Sequence, residues 1–207
     1  MNEPCQPPSS DVAFTPSVKA VQERKGSRRA FAYVESAGGW ATRITPELAE
    51  FIGARTSIFM ATANSLGQPY IQHRGGPPGF LRVLDETTIG FADFTGNRQF
   101  ITLGNLAEND QAHLFLIDYA TQRRIKIWGR ARVVEGDEAL MAELMPRDYR
   151  ARPSQAILFS LTAWDANCPQ HIPQKIDAAD VAAALAERDA RILALEAELA
   201  SLRAAAP

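Results

Sequence analysis

Cations stand beside backbone suited to anions at two places in this chain. His73 and Arg74 close the strand-like half of "YIQHRGGPPGF" (70–80), just ahead of Gly75, Gly76, Pro77, Pro78 and Gly79. Asn97, Arg98 and Gln99 fall in "TGNRQF", where a short helix is expected to begin with Asn97 as its cap. The first N–H groups of a helix have no partner within it and carry the positive end of its dipole, so an anion is favoured there. Arginine adds bidentate, charge-assisted hydrogen bonds to phosphate oxygens. A third basic cluster, Arg124 and Lys126, lies in "RRIKIWGRARVV" (123–134). Each cluster alone reads as well as a solvated surface; together they point to an organic phosphate as ligand.

The segment "WDANCPQHIPQKI" (164–176) is the other distinctive stretch. Two prolines bracket Gln170, His171 and Ile172 and hold an extended course. Cys168 and His171 form a C-x-x-H pair without the further ligands of a closed zinc site, so no metal is expected. His113 opens an apolar strand and reads as structural, while Asp93 and Asp118 read as isolated. No paired carboxylates suggest hydrolysis, and G-x-S-x-G, Walker and dinucleotide-binding patterns are absent from the sequence. No catalytic residue is assigned.

The elements that must position these groups are mostly strands. "SIFMATA" (57–63), a turn at "NSLGQP" and "YIQHR" make one hairpin; "FLRVL" and "TTIGF" around Asp85 and Glu86 make another. "AHLFLID" (112–118), residues 123–134 and "AILFSLTAW" (156–164) complete six or seven strands. In 123–134 the period of two puts Ile125, Ile127, Ala131 and Val133 on the core face and Arg124, Lys126, Trp128, Arg130 and Arg132 on the other. Such closely spaced strands with few helices between them predict an antiparallel barrel or sandwich. Helices are expected after Ser17, over "TPELAEFIGAR" with Thr45 as cap and Pro46 at the first helical position, and over "GDEALMAELM" before Pro146. Residues 1–15, rich in proline and polar side chains, read as a flexible tail, 16–176 as the main domain, and 177–207 as a C-terminal helix. In that helix Leu185, Ile192 and Leu199 recur every seven residues, with Leu195 and Leu202 three after two of them, a coiled-coil pattern with Arg188 in the remaining d position.

With 207 residues and a formal net charge of -2, the chain can bury a sizeable core and lacks the basic excess of a nucleic-acid binder. Two cysteines cannot make a disulfide framework, no run suits a bilayer, and the N-terminus has no basic head followed by an apolar stretch. A cytoplasmic protein with no membrane or nucleic-acid partner is expected.

The order "YIQHRGG", "TIGFADFTGNRQF", "AHLFLID", "RRIKIWGRARVV" resembles the pyridoxamine 5'-phosphate oxidase-related flavoproteins over roughly residues 45–175. The resemblance implies a mainly β (α+β) fold, an FMN-binding split β-barrel with flanking helices. It implies FMN as cofactor and a homodimer with the flavin between subunits. The positions it assigns to cofactor binding are His73, Arg74 and Gly75; Asn97, Arg98 and Gln99, with Gln99 where the family has lysine; and Arg124, where the family has glutamine, with Lys126. Similar Asn-Cys-Pro-x-His-Ile-Pro endings in one branch of the family add His171. On this reading Gly75 and Gly76 clear the backbone for the flavin.

An FMN-dependent oxidoreductase acting on a small-molecule substrate or electron acceptor follows from the resemblance. The Arg-x-x-Pro-like ending of true pyridoxamine phosphate oxidases is replaced by "HIPQK", and "YRARPSQ" (149–155) echoes their Arg-Pro and Ser-Gln segment only faintly. The wider group includes flavin reductases, deazaflavin users and haem-degrading relatives. The alternatives are a non-catalytic flavin-binding or redox-sensing dimer, and an interaction module recruited through the C-terminal helix.

Overall fold

The computed structural model describes residues 7–167 and 169–205. Seven strands form one sheet: β1 (Ser57–Ala63), β2 (Pro69–Gly75), β3 (Arg82–Val83), β4 (Thr88–Phe94), β5 (Gln111–Asp118), β6 (Arg123–Val134) and β7 (Pro153–Asn167), in the order β2-β1-β5-β6-β7-β4-β3. The pairs β1–β2, β1–β5, β3–β4, β4–β7 and β6–β7 are antiparallel. Six helices join or flank them: α1 (Pro16–Lys25), α2 (Arg28–Ser36), α3 (Pro46–Gly53), α4 (Ile101–Glu108), α5 (Glu138–Leu144) and α6 (Ala178–Ala205).

Alternation decides which side of each strand is inside. Ile58 and Met60 of β1, Leu114 and Leu116 of β5, Ile125 and Ile127 of β6, and Ile89, Phe91, Ile157 and Phe159 of β4 and β7 share one core. Leu48, Phe51 and Ile52 of α3 enter the same core. The helix starts where the sequence predicts, with Thr45 accepting from the Leu48 N–H at 3.2 Å and Pro46 next. β4 is buried on both faces because α5 covers its outer side: Ala92, Ala156 and Leu158 meet Leu144 in a second, smaller cluster. Asp137 caps α5 through the Leu140 N–H at 2.9 Å.

Three local readings change. Part of the expected 1–15 tail lies outside the described residues, but Ser9–Val12 is a 3-10 turn with Ser10 fully buried, and the Ser9 N–H donates to the Gly38 carbonyl at 3.0 Å. Gly39 permits this approach, because an added Cβ would sit 2.7 Å from the Ser9 and Ser10 nitrogens. α1 is capped by Thr15 rather than beginning after Ser17, and α2 is an element the periodicity did not single out. Phe14 joins this end together, edge-on to Phe31 at 5.1 Å and to Trp40 at 4.9 Å.

Two compact units divide the described residues: 7–117 with 123–167, and 118–122 with 169–205. In the second unit Lys175 N–H donates to the Tyr119 carbonyl at 3.3 Å, Gln174 donates to the Ala120 carbonyl at 3.0 Å, and Gln122 donates to the Ile172 carbonyl. The stretch 169–176 therefore groups with the 118–122 turn and α6, where the sequence had placed it in the main domain.

The β6–β7 ladder shifts register between Trp128 and Gly129, and there the two backbones come together. An added Cβ on Gly129 would lie 2.2 Å from the Ser160 carbonyl oxygen and 2.6 Å from the Phe159 ring, whereas Gly53 in α3 has open space. Gly129→Ala is expected to lower unfolding free energy by about 1–3 kcal/mol. Gly53→Ala is expected to raise it by about 0.5–1 kcal/mol. Denaturant titrations of the two variants check both signs.

Candidate functional site

The register of β2 on β1 sorts the first basic cluster. Ile58, Met60 and Thr62 of β1, all buried, stand opposite Arg74, Gln72 and Tyr70. Directly opposed residues of an antiparallel pair share a face, so these three polar side chains extend the core face of β1. His73 opposes Phe59 and faces the other way, with its Nε2 2.7 Å from Ser57 Oγ and its ring edge-on to Phe59 at 5.6 Å. Two adjacent basic residues therefore do different work, and of the two only Arg74 lines the cleft.

That cleft, about 610 Å³ in volume, lies between β2, the end of β4, the start of α4 and the start of β7. Arg74, Asn97, Arg98 and Gln99, four of the positions the resemblance assigns, line it together. The helix behind them begins later than expected. Asn97 Oδ1 accepts from the Gln99 N–H at 3.1 Å in a turn, while Phe100 occupies the N-cap position in left-handed backbone at φ 54°. Arg98 is also left-handed, at φ 59°. Phe100 caps α4 with no side chain, and Ile-Thr-Leu-Gly opens it without an acid. Its first N–H groups thus lack both a capping acceptor and a compensating carboxylate among the described residues. Ile101, Thr102 and Leu103, which carry them, line the cleft.

The opposite wall comes from "RPSQ" (152–155), the faint echo in the sequence. Thr95 N–H donates to the Arg152 carbonyl at 2.9 Å, and Thr95 Oγ1 lies 2.8 Å from Ser154 Oγ. Arg152, Ser154 and Gln155 all face the cleft. β7 begins at Pro153, three residues before the strand legible in the sequence, and this early start carries Gln155 into register with Asp93.

Asp93 is not isolated. Its Oδ1 is 2.5 Å from Arg74 Nη1 and its other oxygen accepts from Gln155 Nε2. It is 3% exposed, so burial pushes its carboxyl pKa up, and the Arg74 charge and the Gln155 hydrogen bond pull it down. Arg74 Nε is buried with no hydrogen-bond partner among the described residues. Tyr70 OH donates to Gln72 Oε1 on the same wall. Tyr70, Gln72, Asp93, Arg152, Ser154 and Gln155 are the site residues that sequence reasoning passed over. The alternation of β2 and the pairing of "FADF" with "PSQA" were the signals that could have found them.

The other predicted positions fall elsewhere. Gly75 does not line the cleft; an added Cβ there would lie 3.1 Å from the His73 ring. Gly76 makes room for the protein itself, since a Cβ would stand 2.6 Å from that of buried Phe80. Arg124 and Lys126 lie on the outer face of β6, because Ile125 and Ile127 take the inner one. Lys126 pairs with Asp165 at 3.0 Å and lies over the rings of Trp40 and Trp128, which stack at 4.6 Å. His171 is exposed and left-handed at φ 65° in the second unit. Cys168, its C-x-x-H neighbour, lies outside the described residues.

The cleft thus joins a strand-built core with a polar end to a helix N-terminus at its rim, with arginines on both walls. Residues 44–171 match the pyridoxamine 5'-phosphate oxidase family model, and the chain belongs to that family. Its fold is the split β-barrel of that family, in mixed α+β form. Among solved structures it is similar to HupZ from Group A Streptococcus (21% identity, 64% of this chain and 99% of that chain, TM-score 0.47). It is also similar to an FMN-binding protein from Syntrophomonas wolfei (10% identity, 75% and 98%, TM-score 0.45). A third is HutZ, the heme storage protein from Vibrio cholerae (19% identity, 58% and 90%, TM-score 0.38). No curated protein matches the chain. No helix among the described residues is long and apolar enough to cross a membrane.

His113, edge-on to Trp128 at 4.9 Å, has its pKa pushed down to about 4 by burial and by the Lys126 charge. The native state thus holds it neutral while the unfolded chain protonates it near 6.5. The resulting stability is complete above pH 6.5 and is lost as pH falls toward 4, by roughly 2–3 kcal/mol. His113→Gln is expected to flatten that part of the profile, read as denaturation midpoint against pH.

Proposed function

We propose that the chain is an FMN-dependent oxidoreductase whose cleft binds the flavin phosphate at the start of α4. The observation that carries this reading is the uncapped, acid-free helix start flanked by Arg98 and Arg152, neither of which is in an ion pair among the described residues. A phosphate dianion suits such a site: the N–H groups gain acceptors, and guanidinium donors match its oxygens. Asp93 already balances Arg74, so Arg74 serves chiefly to orient the wall, with its unpartnered Nε as a spare donor. Tyr70 and Gln72 supply donors and acceptors for the rest of the cofactor.

FMN, when bound, supplies the hydride- and electron-accepting ring. The chain's own part is to hold the phosphate, orient the ring between polar side chains and limit water around it. Arg124 and Lys126 stand on the sheet's outer face, so they reach a flavin in this cleft only from a second copy, and we propose a homodimer on that ground. We place the reaction in the cytoplasm, in line with a chain of two cysteines. The cosubstrate is a small molecule able to give or take electrons. Steady-state screening of the FMN-loaded protein with organic reductants separates an oxidoreductase, which turns over, from a flavin carrier or sensor, which does not.

Arg98→Glu is expected to weaken FMN binding about 10–100-fold, the loss of one or more charge-assisted hydrogen bonds and the arrival of a like charge. Arg150→Glu, exposed and outside the cleft, is expected to leave affinity unchanged. Flavin-fluorescence titrations measure both; equal losses contradict the phosphate assignment.

A further inference from the structure

α6 is a helix of 28 residues, none of them buried. Its apolar side chains still follow one seam: Leu185, Ile192 and Leu199 at the a positions, with Val181, Leu195 and Leu202 at d. All six are exposed, Leu185 at 53% and Ile192 at 52%. Exposing such a stripe over about three heptads is unfavourable, and a helix with this pattern gains stability by laying it against another.

The flanking charges select the partner and its direction. In this register Asp189, Glu196 and Arg203 take the e positions, and Arg191 and Glu198 take g. In a parallel pair each g residue faces the e residue of the partner's following heptad, five positions on. Arg191 then meets the partner's Glu196, and Glu198 meets the partner's Arg203, so every charged g–e contact is attractive. An antiparallel pair that keeps Ile192 against Leu195 also joins Arg191 to Glu198, but it sets Asp189 beside Glu196, two like charges. Arg188 is the one charged residue in the seam. A buried polar position of this kind costs stability and fixes register; in the parallel arrangement Arg188 meets the partner's Arg188 across the seam, and the partner's Asp189 beside each guanidinium offsets that repulsion.

We propose that α6 pairs with α6 of a second copy of this chain as a parallel, in-register two-stranded coiled coil. The pairing depends on the a/d and e/g residues of α6 alone, and so stands apart from the cofactor reading. It makes assembly a property of the C-terminal unit, with or without flavin.

The test uses the full chain carrying Cys5→Ser and Cys168→Ser, with a single cysteine introduced by Leu202→Cys at a d position or by Ala197→Cys at an outward f position. Under oxidised glutathione, Leu202→Cys is expected to form an interchain disulfide readily, and Ala197→Cys about tenfold less. Adding Arg191→Glu or Glu196→Arg to Leu202→Cys is expected to reduce cross-linking about tenfold. Mixing the two charge variants restores opposite charges across both contacts and is expected to restore cross-linking between unlike chains. Equal cross-linking at positions 197 and 202, or none at 202, overturns the parallel pairing. Because these readouts need no FMN, failure here leaves the flavin titrations unaffected.

Discussion

The ion pair between Arg74 and Asp93 joins strands that the hydrogen-bonding order keeps far apart. β1, β5, β6 and β7 lie between β2 and β4 in the sheet, yet the two side chains meet at 2.5 Å. The sheet must therefore curl until its ends approach, and the pair marks where it closes. Burying two opposite charges is expensive unless geometry and further hydrogen bonds compensate. Gln155 supplies part of that compensation from β7. Farther along the same inner face, Ile89, Phe91 and Phe159 are buried in the main core. At the Arg74 end the inner face is polar, so the barrel opens into a cleft instead of a core.

This constraint accounts for how the site is assembled. Residues distant in sequence enter one cleft because β2, β4 and β7 all direct alternate side chains to the same end. The loop after β4 adds a turn with two left-handed residues before α4, which leaves the helix start without a side-chain cap. A stabilising Ser, Asp or Thr at that cap would satisfy the same N–H groups that an anion can use.

Much of the architecture was legible because it rests on local periodicity and turn chemistry. The hairpins around "NSLGQP" and Asp85, the Thr45 cap and the two faces of residues 123–134 follow from short-range rules. The site was only half legible. Arg98 and its neighbours were found through helix-start chemistry, but treating His73 and Arg74 as one cluster overlooked the period of two that sends them to opposite faces. Asp93 looked isolated because its partners are separated from it along the chain and meet it only through strand register. The glycines after Arg74 suggested ligand contact, whereas Gly76 accommodates Phe80. Arg124 and Lys126 share no face with the cleft, a fact their spacing already contained.

The central claim is that this cleft recognises a phosphate, and the most direct measurement compares FMN with riboflavin, which has the same ring and no phosphate. Calorimetric titration of the protein is predicted to give at least about 100-fold tighter binding of FMN, the worth of two charge-assisted hydrogen bonds. The advantage should shrink as salt screens the exposed arginines. Equal affinity for the two flavins, or no binding of either, would contradict the account.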